Sequence, residues 1–467
     1  MLAATSSAIA ANRFGLGAQP GELNRIGADA RGWLHAQLRG APPLLEAPEL
    51  RPSAQTLAQA LELRRDIEAQ KKAARLEPAV ADTRAMKLGQ FLRPVYASEA
   101  TARLQQAVST ERPWVERLTQ FWANHFAVSV DKQLLAGLAG GFEREAIRPH
   151  VLGRFHDLLL AVETHPAMLL YLDNHLSIGP HSLAAERLGR RQVERKVGIN
   201  ENLAREILEL HTLGVGGGYT QGDVTSFAEV LTGWSIGGQR GRLTGGEPGR
   251  FVFRAELHEP GAKVLLNTRY RDGGLDQGLA VLGDLARHAS TAHFVATKLT
   301  RHFIADDPPP AAVARVAGAF LASEGDLPSV YRALTEAHEA WAEPLTKYKT
   351  PNDFIVSAYR GLSLPVEPGT GALAPLEVLG QRTWQPGSPA GWPDRSPDWD
   401  GASALMKRIE WADAVGERLG SRRDAQELVP QLLGANLSDA TRTAVARAAS
   451  PAQALTLLLA APEFMRR

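Results

Sequence analysis

The stretch 110-TERPWVERLTQFWANHFAV-128 constrains the fold most, because it carries both a start signal and one continuous apolar face. Thr110 is a capping residue, and Pro113 sits in the first turn, where a missing N–H costs little. Trp114, Leu118, Phe121 and His125 follow the spacing i, i+4, i+7, i+11. At ~100° per residue these four share one side of an α-helix, and His125 points towards the core. No strand can use that spacing.

Helical punctuation recurs along the chain. Residues 54–78 are rich in strong helix formers and stop at Pro78. Residues 141–175 continue in helix, with a break at Pro149 and a fresh start near Thr164–Pro166. Ser290 or Thr291 opens a helix that runs through Phe294, Val295, Leu299 and Phe303 to Pro308–Pro310. Further helices are expected near 311–323, 328–338, 351–363 and 401–418. One hairpin signal stands out: residues 251–267 alternate around Glu259-Pro260-Gly261, a type II turn pattern. The expected fold class is therefore mainly α, a large multi-helix bundle-like body with one small β-hairpin insertion.

The 467 residues are read as a single large helical domain. Its sub-regions are N-terminal helices (1–110), core helices (111–235), a loop and hairpin (236–289) and C-terminal helices (290–467). The tract 381–399 mixes prolines and glycines with three tryptophans, so it is an ordered loop packed across the body. Residues 175–198 form a polar, basic linker or insertion, with Arg187, Arg190, Arg191, Arg195 and Lys196 as a solvated charge run.

Composition narrows the function. Apolar residues make up 44%, enough for a sizeable core. The net charge of +1 lacks the basic excess of a nucleic-acid binder, so no nucleic-acid partner is expected. With no cysteine, thiolate metal sites, disulfides and a Cys nucleophile are excluded. No window approaches the ~18 uncharged apolar residues of a membrane span. The opening MLAATSSAIAANRFGLGAQP has no basic region ahead of its small apolar residues, and is read as a first helix leading to a turn at Gly15–Gly17 rather than a signal peptide.

The chemistry-bearing candidates cluster in 201-ENLAREILELHTLGVGGGYTQGDV-224. Asn200 is a plausible cap and Gly214 a left-handed stop. With Leu203 at 0° on a wheel of ~100° per residue, Ile207 and Leu210 complete a buried stripe. Asn202, Glu206 and Glu209 share one flank, and His211 falls on the other, roughly 140° from Glu206. Those two side chains need a third element between them to meet. Thr220 and Asp223 form a capping box for the next helix. Other histidines are less promising: His165 starts a helix, and His293 and His302, nine residues apart, do not pair. There is no Gly-x-Ser-x-Gly elbow, and the Ser129–Lys132 spacing stands without companion motifs.

These motifs, taken together, resemble the domain-of-unknown-function 1800 family of bacterial proteins. The resemblance rests on Asn12-Arg13-Phe14-Gly15-Leu16-Gly17, Phe121-Trp122-Ala123-Asn124-His125-Phe126, His165-Pro166-Ala167-Met168-Leu169 and Tyr171-Leu172-Asp173-Asn174. It continues through the run from Asn200 to Asp223, Leu231-Thr232-Gly233-Trp234, His258 with Gly261-Ala262-Lys263, Lys349-Thr350-Pro351, Gly380-Gln381 with Trp384, and Pro389-Ala390-Gly391-Trp392. The resemblance implies a predominantly helical fold and no particular activity. Similar proteins are often exported and often encoded beside a second exported family resembling alkaline-phosphatase-like proteins, which would supply a partner. This chain departs in its opening, which shows no evident export signal, and in the basic stretch 180–196, which looks like a variable insertion.

The leading expectation is a site at the centre of the helical body. Glu206 and His125 are its candidate catalytic residues, and Asn124, Asn202, Glu209 and Lys263 its candidate ligand contacts. His125, Glu206, His211 and His258 are candidate ligands for a divalent metal held by N and O donors, with Zn, Mn, Fe, Cu or Mg all suited. The hairpin would bring in His258 and Lys263. The competing expectation is a non-catalytic envelope or assembly protein whose polar motifs are buried structural networks.

Overall fold

The structure, a computed structural model, describes residues 2–76, 87–189, 198–238 and 245–467. The expected stop at Pro78, the basic residues Arg190, Arg191, Arg195 and Lys196, and positions 239–244 of the Gly/Arg-rich loop lie outside the described residues. The described chain is mainly α, with 22 α-helices and four three-residue strands. No described helix is long and apolar enough to cross a membrane.

The Pro113–His125 helix is the axis of the body. Trp114, Leu118, Phe121 and His125 are all buried, as their spacing requires. Its start lies two residues beyond the expected cap, with Pro113 in the first turn as expected. Arg112 is the residue at the N-cap, while Thr110 ends the preceding helix and accepts the Arg112 N–H at 3.1 Å. Around this axis one hydrophobic core runs from Ile9 to Met465. Phe14 stacks on Phe303 at 5.8 Å and meets Trp114 edge-on at 5.9 Å, which joins the N-terminal segment to the Ala289–Phe303 helix. Arg117 donates Nε–H to the Gly15 carbonyl (2.6 Å) and Arg360 donates to that of Gly17 (3.0 Å). At Gly17, with φ of +90°, a Cβ would stand 2.4 Å from the Ser357 Cβ. The Asn12–Gly17 motif is thus a close backbone crossing, and the glycine is required by it.

The strands pair differently from the hairpin expected over 251–267. β1 (Trp234–Ile236) pairs antiparallel with β2 (Phe251–Phe253), and β3 (Lys263–Leu265) pairs antiparallel with β4 (Thr268–Tyr270). The tight hairpin is therefore 263–270, turning through Leu266 and Asn267, both at positive φ. Pro260-Gly261 still bends the chain, with Gly261 at φ +97°, but it joins β2 to β3 across a short 3₁₀ turn and does not close a ladder. The hairpin is pinned by the capping box. Asp223 closes the Gln221–Val230 helix on Thr220, and its other oxygen accepts the Leu266 N–H at 2.7 Å.

The segment after Asn200 departs from a regular wheel. It is α-helical over Asn202–Glu206 and then π-helical over Ile207–His211. A π turn takes up one extra residue, so everything after it lags by about 100°. Leu203, Ala204, Ile207, Leu208 and His211 are buried, while Leu210 is displaced to an intermediate position. His211, placed on an outer flank by a regular helix, is thus turned into the core. Gly214, at φ +84°, ends the segment against the Phe294 ring.

Candidate active site

Four segments, joined by Arg103 from the Leu88–Ser109 helix, line a cavity of about 540 Å³, a size usual for small-molecule sites. They are the C-terminal half of the Pro113–His125 helix, the last turns of the Ala289–Phe303 helix, the first turn of the Pro351–Gly361 helix, and the loop 381–398. The loop is fastened where the first helix ends. Asn124 donates Nδ2–H to the Trp392 carbonyl (2.9 Å) and accepts the Trp392 N–H (2.7 Å). Gly391, at φ +84°, makes this approach possible, since a Cβ there would lie 2.3 Å from the Asn124 carbonyl oxygen. Gln381 accepts the Asn352 N–H at 2.8 Å, and Asn352 donates to Gln120 at 2.9 Å. The tract thus packs across the body as an ordered loop.

The chemical centre is a pair that the sequence reading passed over. His302 donates Nδ1–H to Asp394 Oδ2 at 3.0 Å. That bond fixes the tautomer and leaves the lone pair on Nε2, which is buried without a partner on a residue lining the cavity. Burial pulls the His302 imidazole down to about 4, with Asp394 opposing, so the ring is neutral at pH 7. Burial alone would raise Asp394, but the His302 N–H it accepts, with Lys347 and Arg467, holds its carboxyl well below the usual range. Arg467 Nη2 is 3.4 Å from Asp394 Oδ1, and Arg467 Nε is 2.9 Å from Asp353 Oδ2. Asp353 in turn meets Arg117 at 3.1 Å. Burial would raise Asp353 too, and Arg117 and Arg467 outweigh it, so this carboxyl is also held low. Thr350 caps the helix that presents Asp353, at the N-terminal turn where a carboxylate suits the helix dipole.

The residues expected from sequence divide between this cavity and other places. Asn124 and His125 line the cavity. His125 donates Nε2–H to the His211 carbonyl at 3.1 Å, and its Nδ1 is buried without a partner. Burial, with Lys298 and His211 adding, pulls the His125 imidazole well below its ordinary value. His211, behind it, donates Nδ1–H to Glu163 at 2.8 Å, both side chains being sealed from solvent. The π turn therefore does what the regular wheel did not predict and brings His211 beside His125.

The remaining candidates take other partners. Glu206 is half-buried, and burial raises its carboxyl, with His211 opposing and Glu209 adding. Glu209 accepts the Tyr219 hydroxyl at 3.1 Å, and Asn202 is exposed. His258 donates to the Thr232 carbonyl at 3.0 Å, and Lys263 donates to the Pro260 carbonyl at 2.7 Å, 3.6 Å from Glu229. Among the described residues, no hydrogen bond, ion pair or ring contact joins His258 or Lys263 to His125, Glu206 or His211. No group of three or more His, Asp or Glu able to hold a metal ion occurs among the described residues, so His125, Glu206, His211 and His258 do not assemble one.

The molecule is thus a mainly helical protein with a cation-lined, histidine-bearing cavity closed by a Trp-rich loop. The chain belongs to the protein family of unknown function DUF1800, whose profile it matches over residues 9–466. No curated protein and no solved structure matches it at a significant level.

Proposed function

We propose that this protein is an enzyme that works by general acid–base catalysis in the cavity, with His302 moving the proton. The observation that carries the reading is the division of labour in the imidazole: Nδ1 is committed to Asp394 and Nε2 is left over. A carboxylate behind a histidine holds the ring in one tautomer and steadies the cation that forms when Nε2 takes a proton. Asp394 is the positioning residue in this scheme. Arg467 and Lys347 keep it ionised, so it does not compete for the proton. A bound group with an acidic O–H would give its proton to Nε2 and recover one from the same atom later. His125, on the neighbouring wall, presents a second neutral imidazole. Of the pair expected from sequence as catalytic, His125 enters this proposal and Glu206 does not.

The test joins a spectroscopic and a kinetic readout. Nitrogen-15 imidazole spectra should show His302 as the neutral Nδ1–H tautomer from about pH 5 upward. Turnover should be sought with a panel of activated carboxylic, phosphoric and glycosidic esters. H302Q should lower any turnover by roughly 10²–10⁴-fold, the usual contribution of a positioned acid–base group. An Nε2–H tautomer, or turnover undiminished in H302Q, would sink the proposal.

A further inference from the structure

We infer that the cavity takes a small ligand bearing an oxyanion, a carboxylate or a phosphate, on an apolar body. The inference deepens the acid–base reading by naming its substrate class and rests on the same cavity.

The first observation is an imbalance of charge on the walls. Six Arg and Lys side chains line the cavity, Arg103, Arg117, Lys298, Arg301, Arg382 and Arg395, against Asp353, Asp394 and Asp398. Three of the cations are answered by acids: Arg103 by Glu143, Arg382 by Glu377 and Arg395 by Asp307. Asp353 and Asp394 are already shared by Arg117, Arg467 and Lys347. Asp398 is exposed. Lys298 and Arg301 remain. Among the described residues neither has an ion pair, and the Arg301 bond is to the Asp306 backbone oxygen at 3.3 Å. Burial has pulled Lys298 down to about 8, with Asp394 opposing and Arg301 adding, and its ammonium lies 5.6 Å from the centre of the Phe294 ring.

The second observation is independent of net charge. Arg117 Nη1 and Gln120 Nε2 are buried N–H groups without an acceptor, both on lining side chains. Arg117 itself is 2% exposed. Leaving a buried donor unmade costs about 1–3 kcal/mol, and more for a charged one. A ligand that supplies acceptors relieves that cost, and a carboxylate or phosphate supplies several at once. A neutral polyol fits less well, because its hydroxyls need acceptors and the aspartates are engaged. Phe121, Trp384 and Trp392 give the rest of the wall an apolar, aromatic surface for the body of the ligand.

The experiment is titration calorimetry on the full chain with benzoate, phenyl phosphate and the neutral benzamide, and with glucose as a neutral polyol. At least one aryl anion should bind ten or more times tighter than benzamide and glucose, and its affinity should fall as salt is raised. Whichever anion is tighter identifies the headgroup as carboxylate or phosphate. K298M should weaken that anion about tenfold while leaving the thermal midpoint near wild type, and R301Q gives a second reading should K298M fold poorly. H302Q should bind the anion within about threefold of wild type. Benzamide or glucose binding as well as both anions, no binding by either anion, or an anion affinity unchanged in both K298M and R301Q would overturn the inference. Anion binding that meets these criteria, with turnover unaffected in H302Q, would leave the substrate class standing and remove the acid–base role alone.

Discussion

Two clusters of buried charge lie side by side in this molecule, and they are built on opposite principles. In the first, Arg148 meets Glu116 through a two-pronged contact (2.7 Å on each arm) and reaches Glu143 at 2.9 Å. Arg103 and the Trp384 indole N–H take the other Glu143 oxygen. All four carboxylate oxygens are used, and Arg148 and Glu116 are fully sealed from solvent. In the second, His302, Asp394, Arg467, Asp353 and Arg117 form a chain of single contacts, and His302 Nε2 and Arg117 Nη1 are buried without partners, both on residues that line the cavity. The clusters touch through Arg103 and Trp384, which belong to the first and line the cavity of the second. The difference shows how buried charge is to be read. A cluster whose carboxylate oxygens are all taken, with only Arg148 Nε unpaired, holds helices together, whereas an unpaired imidazole acceptor and unpaired guanidinium N–H on residues that line a hollow mark a place for something that binds.

The largest effect should come from opening the closed cluster. R148M strands the buried Glu116 carboxylate and leaves Glu143 to Arg103 and Trp384, and removing one partner of such a buried pair typically costs about 3–5 kcal/mol. Urea denaturation should show that loss, while the fraction that remains folded binds the aryl anion as wild type does. A folded R148M protein that cannot bind the anion would break the comparison. H302Q should behave in the converse way. Its turnover should fall by about 10²–10⁴-fold, and its stability should move by less than about 1 kcal/mol, because a half-satisfied ring contributes little beyond one hydrogen bond.

Acid separates the clusters further. The His302 imidazole is held at about 4 in the folded chain, against 6.5 when free. Between those values the unfolded chain binds the proton and the folded one does not, so stability rises with pH. The contribution is therefore complete above about pH 6.5 and is lost as pH falls towards 4. His125 is lowered in the same direction by burial, so it too makes stability rise with pH below about 6.5. Burial would raise Glu143, but Arg103 and Arg148 outweigh it and hold its carboxyl below its ordinary value. Its contribution is present above about pH 4.3, the unfolded value, and fades only below that. Urea midpoints measured from pH 4 to 7 should therefore show a shallower slope in H302Q than in wild type. An unchanged slope would mean that the ring is not buried as a neutral base.

How much of this was legible in the sequence depends on how local each cause is. The Pro113–His125 helix was legible because its four core residues repeat within eleven positions. So was the Thr220–Asp223 box, whose partners are three residues apart. Asn124 and His125 were found because a helical wheel turns one of them inward and the other sits beside it. The hairpin turn at Leu266-Asn267 was missed because it lacks the Asn-Gly pair that usually announces such turns. His211 was misplaced because the π turn beneath it is an insertion of one residue that no periodicity announces. His302 was set aside for want of a partner, since Asp394 is 92 residues away in a loop without regular structure. One signal was available. Lys298 and His302 stand four residues apart on one helix, which puts a cation and an imidazole on one face.

The smallest effect expected here tests the fastening of the loop on which the cavity depends. Asn124 satisfies both the N–H and the carbonyl of Trp392, a backbone pairing made by a side chain. N124A leaves those two part-buried groups without a protein partner, and two such bonds are worth about 1–2 kcal/mol net. Trp384, Trp392 and Trp399 all ride on the loop, so their shared fluorescence should shift on release of the clamp while far-ultraviolet dichroism stays helical. The anion affinity should fall with it, because Trp392 and Asp394 would no longer be held against Lys298 and His302. A loss of stability without loss of affinity would mean that the cavity is shaped by Gln381 and the Pro351–Gly361 helix alone, and would move the open cluster towards the closed one in kind.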